Sequence, residues 1–285
     1  MNKLSWTLGV ALSLIGLFII LIFFIVIKFD FTKVNDSQDL IQKTYEINGN
    51  EVTSINVKEV SQDIIVKKST DNTIRITYYE RKNVKLQIDK INNQLKLSRN
   101  NNKIFNLNIF GVTLNKEATV IELPENIIYK ISIYGTSSDI KISNLNFKEI
   151  KLNTVSGDIN MNNINATNLT INTTSGDINN NKIITKNLNI NTISGNVVMN
   201  KNNLQKLKIN TTSGDINFIN LEAKDIKINT VSGNIKGNIL EHQYYYTITK
   251  STVSGDFNFG KLKGAKDNYK LNVHTTSGDA DISFK

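Results

Sequence analysis

Residues 154–158 read Thr-Val-Ser-Gly-Asp, residues 173–177 read Thr-Thr-Ser-Gly-Asp, and residues 192–196 read Thr-Ile-Ser-Gly-Asn. Their glycines are 19 residues apart, and the spacing runs unbroken through Gly157, Gly176, Gly195, Gly214 and Gly233. Further copies place Gly255 and Gly278 at spacings of 22 and 23, and a degenerate copy, Ser137, Ser138 and Asp139, stands 19 residues before the first good one. The motif residues are Ser156, Gly157 and Asp158; Ser175, Gly176 and Asp177; Ser194 and Gly195; Ser213, Gly214 and Asp215; Ser232 and Gly233; Ser254, Gly255 and Asp256; and Ser277, Gly278 and Asp279. Asn196 and Asn234 take the acidic place in two copies. A fixed period of this length marks a repeat architecture.

The repeat also carries a core pattern. Seven residues before each glycine stand Ile150, Leu169, Leu188, Leu207, Ile226, Ile248 and Leu271. Five before it stand Leu152, Ile171, Ile190, Ile209, Ile228 and Val273, with Lys250 the one exception. Two after it stand Ile159, Ile178, Val197, Ile216, Ile235, Phe257 and Ala280. Spacings of two describe strand residues facing a core, with a bend at the glycine. One such unit cannot bury its apolar face alone, so successive coils must stack about 4.8 Å apart. The expected fold is all-β: a single-stranded, right-handed β-solenoid of ~19-residue coils.

Each polar position has a backbone reading. The glycine suits a corner with positive φ or a close approach of neighbouring backbone. Asp or Asn after it, and Ser before it, are expected to bond their own nearby backbone. Asn153, Asn172, Asn191, Asn210 and Asn229 are expected to stack as a ladder of side-chain amides along the axis.

Outward from the repeats, residues 4–27 contain no charged side chain, and 14–27 are almost wholly Leu, Ile, Phe and Val. At ~1.5 Å per residue this spans a ~30 Å hydrocarbon core. No small-x-small cleavage site comes after it, so the segment reads as an uncleaved anchor. Trp6 suits one interface and Lys28 closes the other. The expected organisation is a short tail at 1–4, a transmembrane helix at 5–27, a juxtamembrane linker at 28–45, an irregular β region at 46–135 and regular coils at 136–285. The lysine count around the helix does not by itself favour export of the region beyond Lys28.

Composition removes several function classes. The chain of 285 residues has no Cys and two histidines, His242 and His274, which excludes thiolate chemistry and leaves little for a histidine centre. Its 34 Lys+Arg outnumber 25 Asp+Glu, and with Lys3 set aside the part beyond the anchor carries +8. The chain holds 44 Asn.

A single anchor, an extended β region ending in Leu123 and Pro124, and serial Thr-x-Ser-Gly-Asp-Ile copies resemble the bacterial family known as "putative adhesins", which includes LiaG-like envelope proteins. The resemblance runs from about Glu46 to Lys285 and finds an earlier echo at Ser61, Gln62, Asp63 and Ile64. It implies a β-solenoid displayed outside the cell membrane and transfers no catalytic residue.

Function is read as non-catalytic binding through a solenoid face, with anionic wall polymer, lipid headgroups or another envelope protein as partner. The alternative is an accessory or regulatory component of an envelope-stress system that binds another membrane protein. A carbohydrate-active enzyme is the remote alternative: Arg75, Arg81 and Arg99 all precede the repeats, and no elbow motif interrupts them. Turn chemistry is preferred over calcium for the aspartate row, and no metal, cofactor or nucleic acid is expected. The long coil between Gly233 and Gly255 carries Tyr244, Tyr245 and Tyr246, of which at least one should be exposed as a contact patch. The C-terminal coil, with Ala280 to Phe284 and no cap after it, is expected to be an open edge for self-association.

Overall fold

The computed structural model describes residues 40–81, 84–99, 117–259 and 268–285. The anchor expected at 5–27 lies outside them, and among the described residues no helix is long and apolar enough to cross a membrane. Residues Ile41–Lys285 form one compact unit. The linker expected to reach residue 45 ends earlier, because β1 takes Ile41–Asn48.

The regular coils are β9 (Ile140–Asn153), β10 (Ile159–Asn172), β11 (Ile178–Asn191), β12 (Val197–Asn200) with β13 (Asn203–Asn210), and β14 (Ile216–Asn229) with β15 (Ile235–Ile239) completing the next turn. All pair in parallel at an offset of 19, as in Ile159↔Ile178 and Val197↔Ile216, apart from a shift to 18 between β14 and β15 at Leu221↔Ile239. The chain bends at the Ser-Gly-Asp motif as expected, and the bend is sharp enough to end one strand before the glycine and start the next after it.

Two further corners fall within the strands. Along β10 the inward residues are Ile159 and Met161, then Ile164 and Ala166, then Leu169 and Ile171. Two exposed residues in succession interrupt the alternation twice, and pairing skips Asn163 and Thr167 at those points. A strand keeps its apolar residues inward around a corner only by such a change of parity. The first corner is left-handed in every regular coil, with φ of 57° at Asn144, 55° at Asn163, 55° at Lys182, 52° at Lys201 and 54° at Asn220. Asn visits that region readily. At Lys182 and Lys201 the flanking ladders hold the same conformation against local preference.

The ends of the solenoid depart from chain order. At the C-terminal end are β16 (Tyr246–Ser251), β17 (Phe257–Asn258), β18 (Tyr269–His274) and β19 (Ala280–Phe284). β18 lies between β14 and β16, and β19 between β15 and β17. The last coil is therefore slotted inside the penultimate one, which corrects the expectation that it forms the open edge. That edge belongs to β16 and β17. Lys250 now has its reason: it is in register with buried Val273 but lies in the outermost coil, where it is exposed, with Nζ 5.8 Å from the ring centroids of Phe257 and Phe259. A charge on an edge strand discourages further pairing.

The N-terminal end repeats the device. With β2 (Ser54–Glu59), β3 (Ile64–Lys68), β6 (Gln94–Arg99), β7 (Thr119–Leu123) and β8 (Tyr129–Gly135), β2 sits between β6 and β8, and β3 between β7 and β9. Antiparallel β4 (Thr73–Glu80) and β1 close one side, and β5 (Leu86–Ile91) the other. In the corner of this first coil Gln62 replaces the glycine, and a buried polar cluster forms around it. Arg99 Nε donates to Glu59 Oε2 at 2.8 Å, Arg99 Nη2 to Gln62 Oε1 at 2.8 Å, and Thr119 Oγ1 to Glu59 Oε1 at 2.8 Å.

The absence of cysteine allows a direct check of layer order. Thr276 N–H donates to Val231 O and Val253 N–H to Thr276 O, each at 3.2 Å, so residue 276 separates 231 from 253. Adjacent rungs are ~4.8 Å apart, within disulfide reach, and alternate rungs about 10 Å, outside it. Val231→Cys with Thr276→Cys should close a bridge on mild oxidation, seen as a mobility shift on a non-reducing gel. Val231→Cys with Val253→Cys should not, and the reverse result would restore chain order to the coils.

Candidate functional site

The Ser-Gly-Asp residues form three parallel rows along one corner. A Cβ built on Gly195 would stand 2.0 Å from the carbonyl oxygen of Gly176, and one on Gly176 would stand 1.9 Å from that of Gly157. The same clash recurs out to Gly278 on Gly233 at 2.1 Å and Gly255 on Gly278 at 2.4 Å. Of the two reasons for glycine, close backbone approach is the operative one. The threonine three residues earlier completes the turn: Gly195 N–H donates to Thr192 Oγ1 at 2.9 Å, and Gly176 N–H to Thr173 Oγ1 at 3.1 Å. That role of threonine was visible as a repeated letter but had no assigned purpose in the sequence.

The acidic row also works between coils, not within its own turn as expected. Asp177 N–H donates to Asp158 Oδ1 at 2.9 Å, Asn196 N–H to Asp177 Oδ1 at 2.8 Å, and Asp215 N–H to Asn196 Oδ1 at 3.0 Å. Asp139 N–H reaches Asp63 Oδ1 at 3.1 Å, and Asp256 N–H reaches Asp279 Oδ1 at 2.9 Å, so the row follows spatial order to both ends. An amide oxygen serves as well as a carboxylate, which explains Asn196 and Asn234: the position needs an acceptor. The serine row donates to the neighbouring coil, as in Ser213 Oγ to Ile193 O at 3.3 Å. Among the described residues no group of three or more His, Asp or Glu side chains is placed to hold a metal ion.

The asparagine ladder is formed as expected. Asn172 Nδ2 donates to Asn153 Oδ1 at 2.8 Å, Asn191 to Asn172 at 2.8 Å, Asn210 to Asn191 at 2.7 Å and Asn229 to Asn210 at 2.7 Å. These rows tie each coil to the next and build the scaffold.

Two candidate recognition surfaces adjoin at the C-terminal end. The first is a basic patch at outward positions of β13, β14 and β18. Lys208 stands directly in register with Lys227, while Asp225 lies between Lys206 and Lys270. All four lysines are exposed. Toward the N-terminal end several lysines are paired with carboxylates: Lys67 with Glu122 at 3.1 Å, Lys43 with Glu80 at 2.6 Å, and Lys151 with Glu149 at 2.8 Å. Hydrogen bonding to Lys151 lowers the Glu149 pKa and raises that of its partner.

The second surface is a cleft of about 490 Å³, lined by the stretch from His242 to Tyr245, by Asn258 and Phe259, and by Asp281 to Lys285. It contains two of the three tyrosines singled out from the sequence. Tyr244 is 43% exposed, Tyr245 is half-buried and Tyr246 is buried. The Tyr246 hydroxyl donates to Ala223 O, and burial pushes its pKa well up, so this ring belongs to the core. Ring contacts run from Tyr244 to Tyr245 at 5.6 Å and on to Tyr269 at 6.0 Å, and Lys224 Nζ sits 5.9 Å from the Tyr269 centroid. The aromatic strip thus leads from the cleft to the basic patch.

The Toastrack DUF4097 family model matches residues 52–285. Among solved structures, a putative lipid binding protein from Parabacteroides distasonis ATCC 8503 is 16% identical, with 86% of this chain and 96% of that one covered at a TM-score of 0.52. A putative adhesin from Parabacteroides merdae ATCC 43184 is 13% identical, with the same coverages and a TM-score of 0.50. No curated protein matches the chain. The match spans the stacked coils and their Ser-Gly-Asp corner from the first buried strand to the last, and the chain belongs to the Toastrack DUF4097 family.

Proposed function

We propose that the protein is a membrane-anchored, exported and non-catalytic right-handed solenoid that binds an anionic polymer of the cell envelope through its basic face. The observation that carries this reading is the register of Lys208 with Lys227. Like charges directly opposite on neighbouring strands destabilise a sheet, and a polyanion lying across them removes that cost. In the adjoining row Lys206 and Lys270 flank Asp225, which leaves that row one positive charge in excess. The apolar run at 4–27 supplies the anchor, and the name of the Parabacteroides merdae neighbour, putative adhesin, is in keeping with a surface role.

Adsorption of the purified full chain to isolated cell walls tests the reading. It should weaken severalfold as ionic strength rises from roughly 0.01 to 1 M and the screening length shrinks from ~30 to ~3 Å. Lys208→Glu with Lys227→Glu should weaken it about tenfold at low salt. Adsorption indifferent to both would remove the basic face from the function. Capture of a membrane protein in place of polymer after mild crosslinking would favour an accessory role in envelope-stress signalling. Protease added to intact protoplasts should remove the soluble part; its survival until the membrane is opened would reverse the orientation.

A further inference from the structure

The cleft at the C-terminal end has the composition of a small-ligand site. Its volume, about 490 Å³, lies in the ~300–1,000 Å³ range of such sites. The walls alternate rings with hydrogen-bonding groups: Tyr244, Tyr245, Phe259 and Phe284 against Gln243, Asn258 and Ser283. Gln243 Nε2 already donates to Phe259 O at 2.8 Å, Asn258 Nδ2 to Asp281 Oδ1 at 3.1 Å and Ser283 Oγ to Gly237 O at 3.4 Å, so what these groups offer a ligand is acceptor oxygen, which an acyl chain would leave facing hydrocarbon at a cost. A sugar ring presents an apolar C–H face to the aromatics and hydroxyls or an acetamide to the polar groups.

The charges around the cleft set the sign of the ligand. Lys285 is in its lining, and Lys250 Nζ lies 5.8 Å from the centroid of the lining ring of Phe259. Lys224 stands over Tyr269, the ring that adjoins Tyr245. One carboxylate, Asp281, also lines the cleft and accepts from Asn258 Nδ2 at 3.1 Å; it keeps its charge, and against Lys285 and Lys250 it leaves one positive charge in excess.

We propose that this cleft binds one anionic sugar unit of the envelope polymer, with Tyr244 and Tyr245 stacking on the ring and Lys285 and Lys250 meeting its acidic group. The proposal rests on the polymer-binding reading and gives it a specific contact, so that the basic face supplies attraction along the chain and the cleft supplies recognition of a unit.

The test is calorimetric titration of the detergent-solubilised full chain with N-acetylglucosaminyl-N-acetylmuramic acid, which carries a lactyl carboxylate. Chitobiose, which lacks the carboxylate, and lactate, which lacks the rings, are the controls, and dioctanoyl phosphatidylglycerol is the lipid probe. The muramic disaccharide should bind at least about tenfold more tightly than either control. Tyr244→Ala should weaken it about tenfold, while Tyr244→Phe, which keeps the ring, should retain most of the binding. Equal binding of chitobiose would overturn the charge assignment, tighter binding of the lipid would overturn the sugar assignment, and insensitivity to Tyr244→Ala would overturn the site. Wall adsorption that survives Tyr244→Ala but not the lysine double variant, with no disaccharide binding, would sink the cleft alone and leave the basic face standing.

Discussion

Gly195→Val should destabilise the protein by on the order of 4 kcal/mol or more, read as a lowered urea midpoint with chelator present throughout. The reason is steric. A Cβ at residue 195 would stand 2.0 Å from the oxygen and 2.9 Å from the carbonyl carbon of Gly176, atoms of the next coil's backbone. No rotamer relieves a Cβ clash, and moving the coils apart breaks the flanking rows, including the bond from Asn196 N–H to Asp177 Oδ1. Gly195→Ala introduces the same atom and should cost most of the same amount. An unchanged midpoint together with lost polymer binding would make the glycine row a ligand contact.

Ile190→Ala should cost about 2–5 kcal/mol, the range for truncating a fully buried aliphatic side chain. Ile171, Ile190, Ile209 and Ile228 succeed one another in register, and each is 0% exposed, so the cavity would open in the middle of a packed column. The neighbours supply internal controls. Asn191→Ala removes the bond to Asn172 at 2.8 Å and the bond from Asn210 at 2.7 Å, for a loss of roughly 1–2 kcal/mol. Asn189 faces outward, and its Oδ1 has no hydrogen-bond partner among the described residues, so Asn189→Ala should stay below about 1 kcal/mol. Chemical denaturation of the three variants checks the order 190, 191, 189. Equal losses at 189 and 190 would mean that the strand faces the other way.

The scaffold was more legible than the surfaces. Stacked identical units put identical residues on one another, so a period of 19 and two-residue alternation were enough to predict the isoleucine column and the asparagine ladder. Corner chemistry was harder. An Asp beside a Gly bonds its own turn in most isolated contexts, and only the packing of a second coil at ~4.8 Å brings the next backbone N–H closer than its own. The left-handed corner passed unnoticed because Asn144, Asn163 and Asn220 share their place with Lys182 and Lys201, which carry no turn signal. Tyr244 and Tyr245 could be suspected of exposure from their crowding, but their meeting with Ile282, Phe284 and Lys285 joins segments some 40 residues apart and has no local trace.

By itself the sequence determined the coil length, the inward positions and the Ser-Gly-Asp corner, because these depend on strand periodicity and on like stacking upon like. Tertiary structure alone decided which coil lies beside which at the ends. Every coil from Gly157 to Gly278 offers the same glycine carbonyl and the same Asp or Asn oxygen, so the rows at the C-terminal end would accept any order of layers. Burial settles it. Leu271, Val273, Ala280 and Ile282 are all at most 2% exposed and need a neighbour on both sides, whereas Lys250, in register with Val273, is exposed and can stand there only where nothing is stacked beyond it. The last coil of the chain is therefore an interior layer, and the coil before it is the end of the solenoid.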